Sequence, residues 1–230
     1  MPVTYPTIET ADDIRAGVRH LRRRCPAMRA MHDRSGDPPL RRYPADFAGL
    51  ARIIVGQQLS SASASAIWQR LETKLGRVTA KRWLATDTDA LRAAGLSSAK
   101  LKTLEGLARA VAERRLDVTQ LASANDEAVV DTLTQLSGIG PWTAHIFILF
   151  CLGRRDAFAV GDLALQVGAA KAFGHGERLN QAELTEIAER WRPWRGVAAR
   201  LIWSDYANLR AAGAPLAPAG GSGATGSSRR

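Results

Sequence analysis

The sequence LSGIGPWTA, from Leu136 to Ala144, is the strongest local signal in this chain. It follows a run in which apolar residues recur with helical spacing, and Pro141 stands where the first turn of a new helix tolerates a missing N–H. Gly138 and Gly140 permit a tight turn between the two runs. The stretch therefore predicts two helices joined by a short glycine hairpin.

This hairpin has two interpretations. The second helix would begin with backbone N–H groups that lack helical partners and with the positive end of its dipole, which together bind phosphate. An ordinary helix–helix turn closed by a glycine explains the same residues. A nucleotide-binding glycine loop fits less well, because the preceding residues are helical in pattern and neither a third glycine nor a phosphate-loop lysine is present.

On both sides of the hairpin, apolar residues recur at three- and four-residue spacing, and strand patterns are scarce. The sequence therefore predicts an all-α fold. The predicted helices span residues 11–24, 45–55, 59–75, 79–85, 87–93, 98–113, 126–135, 141–151, 162–173, 181–191 and 196–210.

We expect one helical domain over residues 1–212, arranged in two lobes. One lobe comprises about residues 45–150 and contains the hairpin over residues 134–144, and the N-terminal and C-terminal helices form the other. Residues 213–230, rich in Gly, Ser and Ala, are predicted to be a disordered tail.

Charge and cysteine content narrow the class of protein. The 230 residues include 32 Lys and Arg against 22 Asp and Glu, a net charge of +10, which suits a polyanionic partner such as nucleic acid. Charge alone does not decide, because an arginine-rich composition can also reflect coding bias. The two cysteines are far apart, which argues against a disulfide framework or a cysteine-bound metal. The N-terminal sequence has no targeting pattern and no apolar stretch is long enough for a bilayer, so we expect a cytoplasmic, nucleoid-associated protein.

The hairpin resembles the LxGxGxxTA signature of the helix-hairpin-helix DNA glycosylases, with all five defined positions in register. Three further segments resemble DNA-3-methyladenine glycosylase II, the alkylbase branch of that superfamily. They are residues 52–71, 91–108 and 191–203, in the expected order. The resemblance covers most of residues 11–210. It implies a two-lobed helical glycosylase fold without the N-terminal β domain of some relatives.

The resemblance also implies that Asp162 is the catalytic carboxylate, since it matches the essential Asp that follows the hairpin helix. Another Asp usually precedes it, whereas this chain has Gly161. From the residues alone, an Asp at a helix start is also a common N-cap. A fixed carboxylate would stabilise the positive charge that develops on deoxyribose, and a cationic alkylated base leaves with little acid assistance. Trp142 replaces the lysine of bifunctional relatives, so we expect no lyase activity.

Aromatic residues of the base pocket follow from the same resemblance. Trp142 and Trp203 match pocket positions, where an electron-rich ring face attracts a cationic base. Tryptophans at helical spacing also form ordinary core.

DNA contacts are implied for the hairpin and for a pair of glutamines. Gln58 matches the residue inserted into the base stack when a nucleotide is extruded, with Gln57 beside it, although a solvated pair at a helix start explains them too. Lys100 and Lys102 could meet phosphate or lie on a solvated helix face. The implied contacts in the hairpin are Gly138, Gly140 and Thr143.

Relatives bind an alkali cation through hairpin carbonyls. Here those would be the backbone carbonyls of Thr134, Leu136 and Ile139, holding a Na or K ion beside the DNA phosphate. We expect no required cofactor.

The resemblance therefore implies a monofunctional glycosylase acting on double-stranded DNA in base excision repair, and we expect a monomer. It would hydrolyse the N-glycosidic bond of alkylated purines such as 3-methyladenine and 7-methylguanine. A glycosylase for ethenoadenine, hypoxanthine or uracil is an alternative, because the sequence does not give the pocket shape. A non-catalytic binder of distorted DNA is another; Asp162 in register argues against it and Gly161 keeps it open.

Overall fold

The computed structural model describes residues 5–213, and the regular secondary structure of this range is entirely helical. A single isolated bridge pairs Thr7 with Arg154. The predicted all-α fold is confirmed. The tail predicted over residues 213–230 lies outside the described residues, apart from Gly213. Within the described range, no helix has the length and apolarity needed to cross a membrane.

The helices of the described range are close to the predicted ones. Their bounds are α1 Ala11–Arg24, α2 Pro26–Ser35, α3 Phe47–Gly56, α4 Ser61–Leu75, α5 Ala80–Leu84, α6 Thr88–Arg92, α7 Ser98–Ala112, α8 Asp126–Thr134, α9 Pro141–Phe150, α10 Leu163–Ala172, α11 Gln181–Ala188 and α12 Arg195–Ala211. Short 3-10 helices span Thr119–Ser123 and Glu189–Trp191.

One helix, α2, was not predicted. Its buried side chains are Met28 and Met31, so its apolar stripe is too narrow to stand out as a periodic pattern. Its ends do carry signals, because Pro26 occupies the first turn and Gly36 closes the helix at φ 69°.

Many helix starts are fixed by local sequence. A polar side chain at the N-cap accepts a hydrogen bond from a backbone N–H of the first turn, which contributes about 1 kcal/mol in each case. The residues that cap in this way are Asp46, Ser60, Thr79, Asp87, Ser97, Asn125, Asp162 and Asn180.

Contacts divide the described chain into two compact units. The first contains residues 5–14 and 39–159. In it, α3 packs against α4, α7 and α9, and α8 packs against α9. Its core is built from fully buried side chains, including Leu50, Ile54, Leu104, Leu107 and Phe147. Burial of each such side chain contributes about 1.5–3 kcal/mol.

The second unit contains residues 15–38 and 160–213. In it, α12 packs against α2 and α10. A Cβ on Gly168 would lie 2.6 Å from Ile202 Cγ2, so glycine permits the close approach of α10 and α12. The buried carboxylate of Asp205 accepts two hydrogen bonds from Arg34, at 3.0 and 2.8 Å, which tie α12 to α2.

Candidate functional site

The glycine hairpin connects α8 to α9 in the first unit. Gly138 has φ 86°, and a Cβ there would lie 1.9 Å from Thr103 Oγ1, so both backbone and space require glycine. At Gly140, by contrast, a Cβ would have no atom within 4 Å. Gly140 is the N-cap of α9 and offers no capping side chain. The start of α9 therefore has room for an external hydrogen-bond acceptor such as a phosphate oxygen.

The glutamine pair lies at the end of α3 and is tied to this hairpin. Gln57 Nε2 donates to the carbonyl oxygen of Gly138 at 3.2 Å and to Thr143 Oγ1 at 2.9 Å. Gln58 is exposed and has φ 56°, a left-handed conformation that costs a non-glycine residue about 1–2 kcal/mol. The structure therefore brings Gln57, Gly138 and Thr143 into contact. The exposed Gln58 directly follows Gln57 in the turn after α3.

Lys100 does not lie on a solvated face. Its Nζ donates to the carbonyl oxygens of Val55 and Gln57, both at 2.7 Å. Partial burial lowers the pKa of this lysine. The sequence offered one unused signal, namely a positive charge in the first turn of α7, where it opposes that helix's own dipole.

Asp162 lies in the second unit as the N-cap of α10. Its Oδ1 accepts hydrogen bonds from the backbone N–H of Leu165 at 3.0 Å and from Trp203 Nε1 at 2.9 Å. The capping role is therefore real, and the same oxygen is also held by an aromatic donor from α12. Asp162 is half-buried, so the carboxylate is oriented without being sealed from solvent.

A buried amide supports the loop that leads into Asp162. Gln166 is 6% exposed, and its Nε2 donates to the carbonyl oxygen of Val160 at 2.9 Å. Gln166 is not among the site residues predicted from the sequence. Its signal was a lone polar residue inside the apolar run of α10.

The space around Gly161 does not require a glycine. A Cβ there would have Gln181 Nε2 as its nearest neighbour, at 3.7 Å, which is an ordinary contact. A side chain at residue 161 could therefore be accommodated.

The two tryptophans assigned to the base pocket belong to different units. Trp203 is a half-buried residue of α12 in the second unit, where its indole N–H is bound to Asp162. Trp142 is a half-buried residue in the first turn of α9 in the first unit.

The carbonyls assigned to an alkali cation lie at the end of α8. The last carbonyls of a helix have no helical partner, and Thr134 is the final residue of α8. The Leu136 carbonyl accepts one hydrogen bond, from Ile139 N–H at 3.1 Å, which leaves a lone pair for a ligand. Side chains of residues 5–213 form no cluster of three or more His, Cys, Asp or Glu for a metal ion. Backbone oxygens of this kind fit a hard alkali cation.

Comparison with known proteins identifies similar proteins across most of the chain. The family described as HhH-GPD superfamily base excision DNA repair protein matches residues 51–193. The alkylbase DNA glycosidase-like protein mag2 of Schizosaccharomyces pombe is 25% identical over 164 residues, which cover 69% of this chain and 77% of that protein. Several other curated relatives are longer, and the matched segment spans 36% to 57% of their length.

Solved structures show the same similarity. A DNA-3-methyladenine glycosidase from Bacillus halodurans superimposes with a TM-score of 0.70 at 31% identity, covering 91% of this chain and 95% of that one. A 3-methyladenine DNA glycosylase from Schizosaccharomyces pombe in complex with abasic DNA superimposes with a TM-score of 0.75 at 23% identity, covering 85% of this chain and 97% of that one. This second likeness concerns the fold.

Proposed function

This chain belongs to the HhH-GPD superfamily of base excision DNA repair proteins and is a DNA glycosylase, and on that premise we propose that it releases alkylated purines from double-stranded DNA. The substrates we assign are 3-methyladenine and 7-methylguanine. Relatives named as 3-methyladenine glycosylases support this choice. We further propose that the protein acts as a monomer.

The observation that carries the proposal is the environment of Asp162. Two N–H donors, from Leu165 and from Trp203, meet on its Oδ1 and fix the carboxylate at the start of α10. A carboxylate that is already oriented needs no reorganisation when charge develops beside it. It is therefore suited to stabilise a cationic sugar.

The reaction is a hydrolysis at C1′ of the deoxyribose. The C1′–N bond breaks and its electron pair leaves with the base, which neutralises the positive charge that alkylation had placed on the purine ring. Asp162 stabilises the positive charge that remains on the sugar. Water then adds to C1′ and loses a proton, which gives an abasic site and a free base.

Because residue 142 is a tryptophan and not a lysine, we expect cleavage of the glycosidic bond without lyase cleavage of the DNA strand. Bifunctional relatives use an amine there to form a Schiff base with the sugar, and the indole of Trp142 cannot do so. We assign base recognition to the ring faces of Trp142 and Trp203, because a cationic purine gains more from an electron-rich face than a normal base does.

DNA binding is assigned to the first unit. The start of α9, with Gly138, Gly140 and Thr143, binds a backbone phosphate without reading sequence. Gln58 fills the stack that the extruded nucleotide leaves, and Gln57 supports it through the hairpin. An alkali cation at the carbonyls of Thr134, Leu136 and Ile139 would offset phosphate charge.

The test is release of free base from a duplex that contains one 7-methylguanine or 3-methyladenine. Asp162→Asn keeps an oxygen that can cap α10 but removes the charge, so we expect the single-turnover rate to fall by a factor of about 10²–10³, as for loss of one preorganised transition-state contact. Binding to a duplex with an abasic analogue should persist. Unchanged release by Asp162→Asn would refute the mechanism.

Two other results would redirect the assignment. Release of ethenoadenine, hypoxanthine or uracil in place of alkylated purines would change the lesion while keeping the enzyme class. Tight binding to the abasic analogue without release of any base would identify a binder of distorted DNA.

A further inference from the structure

Helix α7 contacts both the Gln57–Gln58 turn, through Lys100, and the glycine hairpin, through Thr103. We propose that Lys100 of α7 is a positioning residue for base extrusion, which holds the turn so that Gln58 enters the DNA at the correct place relative to the hairpin. This inference rests on the function proposed above. It concerns the step before bond cleavage.

The charge of Lys100 is better placed for the end of α3 than for its own helix. Lys100 lies in the first turn of α7, where its positive charge is unfavourable for that helix, but its ammonium reaches the carboxyl end of α3. There it donates to two carbonyls at 2.7 Å, on Val55 and Gln57. The last carbonyls of a helix lack helical partners, so the ammonium stabilises the end of α3 in the way a cation near a helix C-terminus does.

One of the two carbonyls that Lys100 binds directly precedes Gln58 in the chain. The Gln57 carbonyl belongs to the peptide group that leads into Gln58, and Gln58 is one of the few non-glycine residues of the described range with positive φ. Lys100 therefore fixes the peptide plane that sets the direction of Gln58. A left-handed residue persists only when its surroundings hold it there.

The face of α7 that carries Lys100 also contacts the hairpin, through Thr103. Thr103 is three residues beyond Lys100 and so lies on the same face of α7. Its hydroxyl group occupies the space that a side chain at residue 138 would need. Because the Gln57 amide also bonds to the Gly138 carbonyl, one face of α7 fixes both the turn and the hairpin.

Loss of Lys100 should affect the extrusion of the base and not the cleavage of the glycosidic bond. Removing a paired purine from the stack costs a few kcal/mol, and less when the base is unpaired. A loosened Gln58 would therefore slow reaction at a paired lesion, while a lesion that is already unpaired would still reach Asp162. Lys100 itself is not assigned any contact with the base or the sugar.

The experiment compares two duplexes that carry the same 7-methylguanine, either paired with cytosine or placed in an unpaired bulge. The measured quantity is the single-turnover rate of base release, expressed as the ratio of paired to unpaired substrate. For Lys100→Met we expect this ratio to fall about tenfold, which corresponds to about 1.4 kcal/mol in the barrier. Lys100→Arg, which keeps charge and donors, should restore most of it.

Lys81→Met is the matched control, because it removes one positive charge from an exposed lysine of α5. Its ratio should equal that of the wild type. If Lys100→Met fails to fold, Lys100→Gln, which keeps two N–H donors on a shorter chain, takes its place with the same expected direction.

An equal loss on both substrates, or no loss on either, would overturn the positioning role. Fluorescence of 2-aminopurine next to the lesion adds a direct readout, since Lys100→Met should reduce the unstacking signal on binding. If the wild-type protein releases no base from either duplex, the proposed function itself has failed, and that result is distinct from a changed ratio.

Discussion

Gly138→Ala tests whether the hairpin needs a glycine at position 138, both for its positive φ and for the close approach of Thr103. The new Cβ would lie 1.9 Å from Thr103 Oγ1, and the residue would have to hold φ 86°. The left-handed conformation costs about 1–2 kcal/mol, and overpacking a filled space costs about 1–3 kcal/mol. Reduced freedom of the unfolded chain returns about 0.4–1 kcal/mol. We therefore expect a net loss of roughly 1–5 kcal/mol in the free energy of unfolding.

The matched control is Gly140→Ala, two residues away in the same hairpin. Gly140 has φ −99°, and its Cβ would have no neighbour within 4 Å, so the free energy of unfolding should stay within about 1 kcal/mol of the wild type. Urea denaturation followed by circular dichroism measures both variants. Thr103→Ala should lessen the penalty of Gly138→Ala, because it removes the closest atom. Equal stability of Gly138→Ala and Gly140→Ala would refute the described packing.

Further predictions concern the carboxylate and its neighbour. Trp203→Phe keeps an aromatic ring but removes the N–H donor at 2.9 Å from Asp162 Oδ1, so we expect the single-turnover rate of base release to fall about tenfold, or about 1.4 kcal/mol. An unchanged rate would mean that the Leu165 N–H alone orients the carboxylate. Gly161→Asn and Gly161→Asp should both fold and keep base release, because a Cβ there has ordinary contacts, with unfolding free energies within about 0.5 kcal/mol of the wild type. Loss of release in both variants would show that the glycine itself is required.

The sequence predicted most helices correctly because the signals that define a helix are local. The hydrophobic spacing and the capping residues are properties of a few neighbouring positions, and each predicted helix is present within a few residues. The exception, α2, is a helix whose two buried methionines make too narrow a stripe. The hairpin was also local, since its glycines and Pro141 act within one turn.

In the candidate site, too, the residues could be named from the sequence but their distant partners could not. Asp162 and the hairpin residues were named from the sequence because each occupies a fixed position in a linear pattern. The Trp203 donor to Asp162 could not be named in this way, because Trp203 is forty-one positions away along the chain and meets the carboxylate only through the packing of α12 against α10.

Apart from α2, the sequence therefore predicted every α-helix of the described range, the glycine turn and, through the family resemblance, the acid at position 162. The hydrogen-bond partners from distant parts of the chain, such as Trp203 for Asp162, became known only from the folded structure. The linear pattern leaves Lys100 as a charge for phosphate or solvent, and its ammonium binds the Gln57 carbonyl only because α7 and α3 pack together. Hydrogen bonds between distant segments depend on distances that folding creates, whereas helix spacing and capping depend on residues that are neighbours before the chain folds.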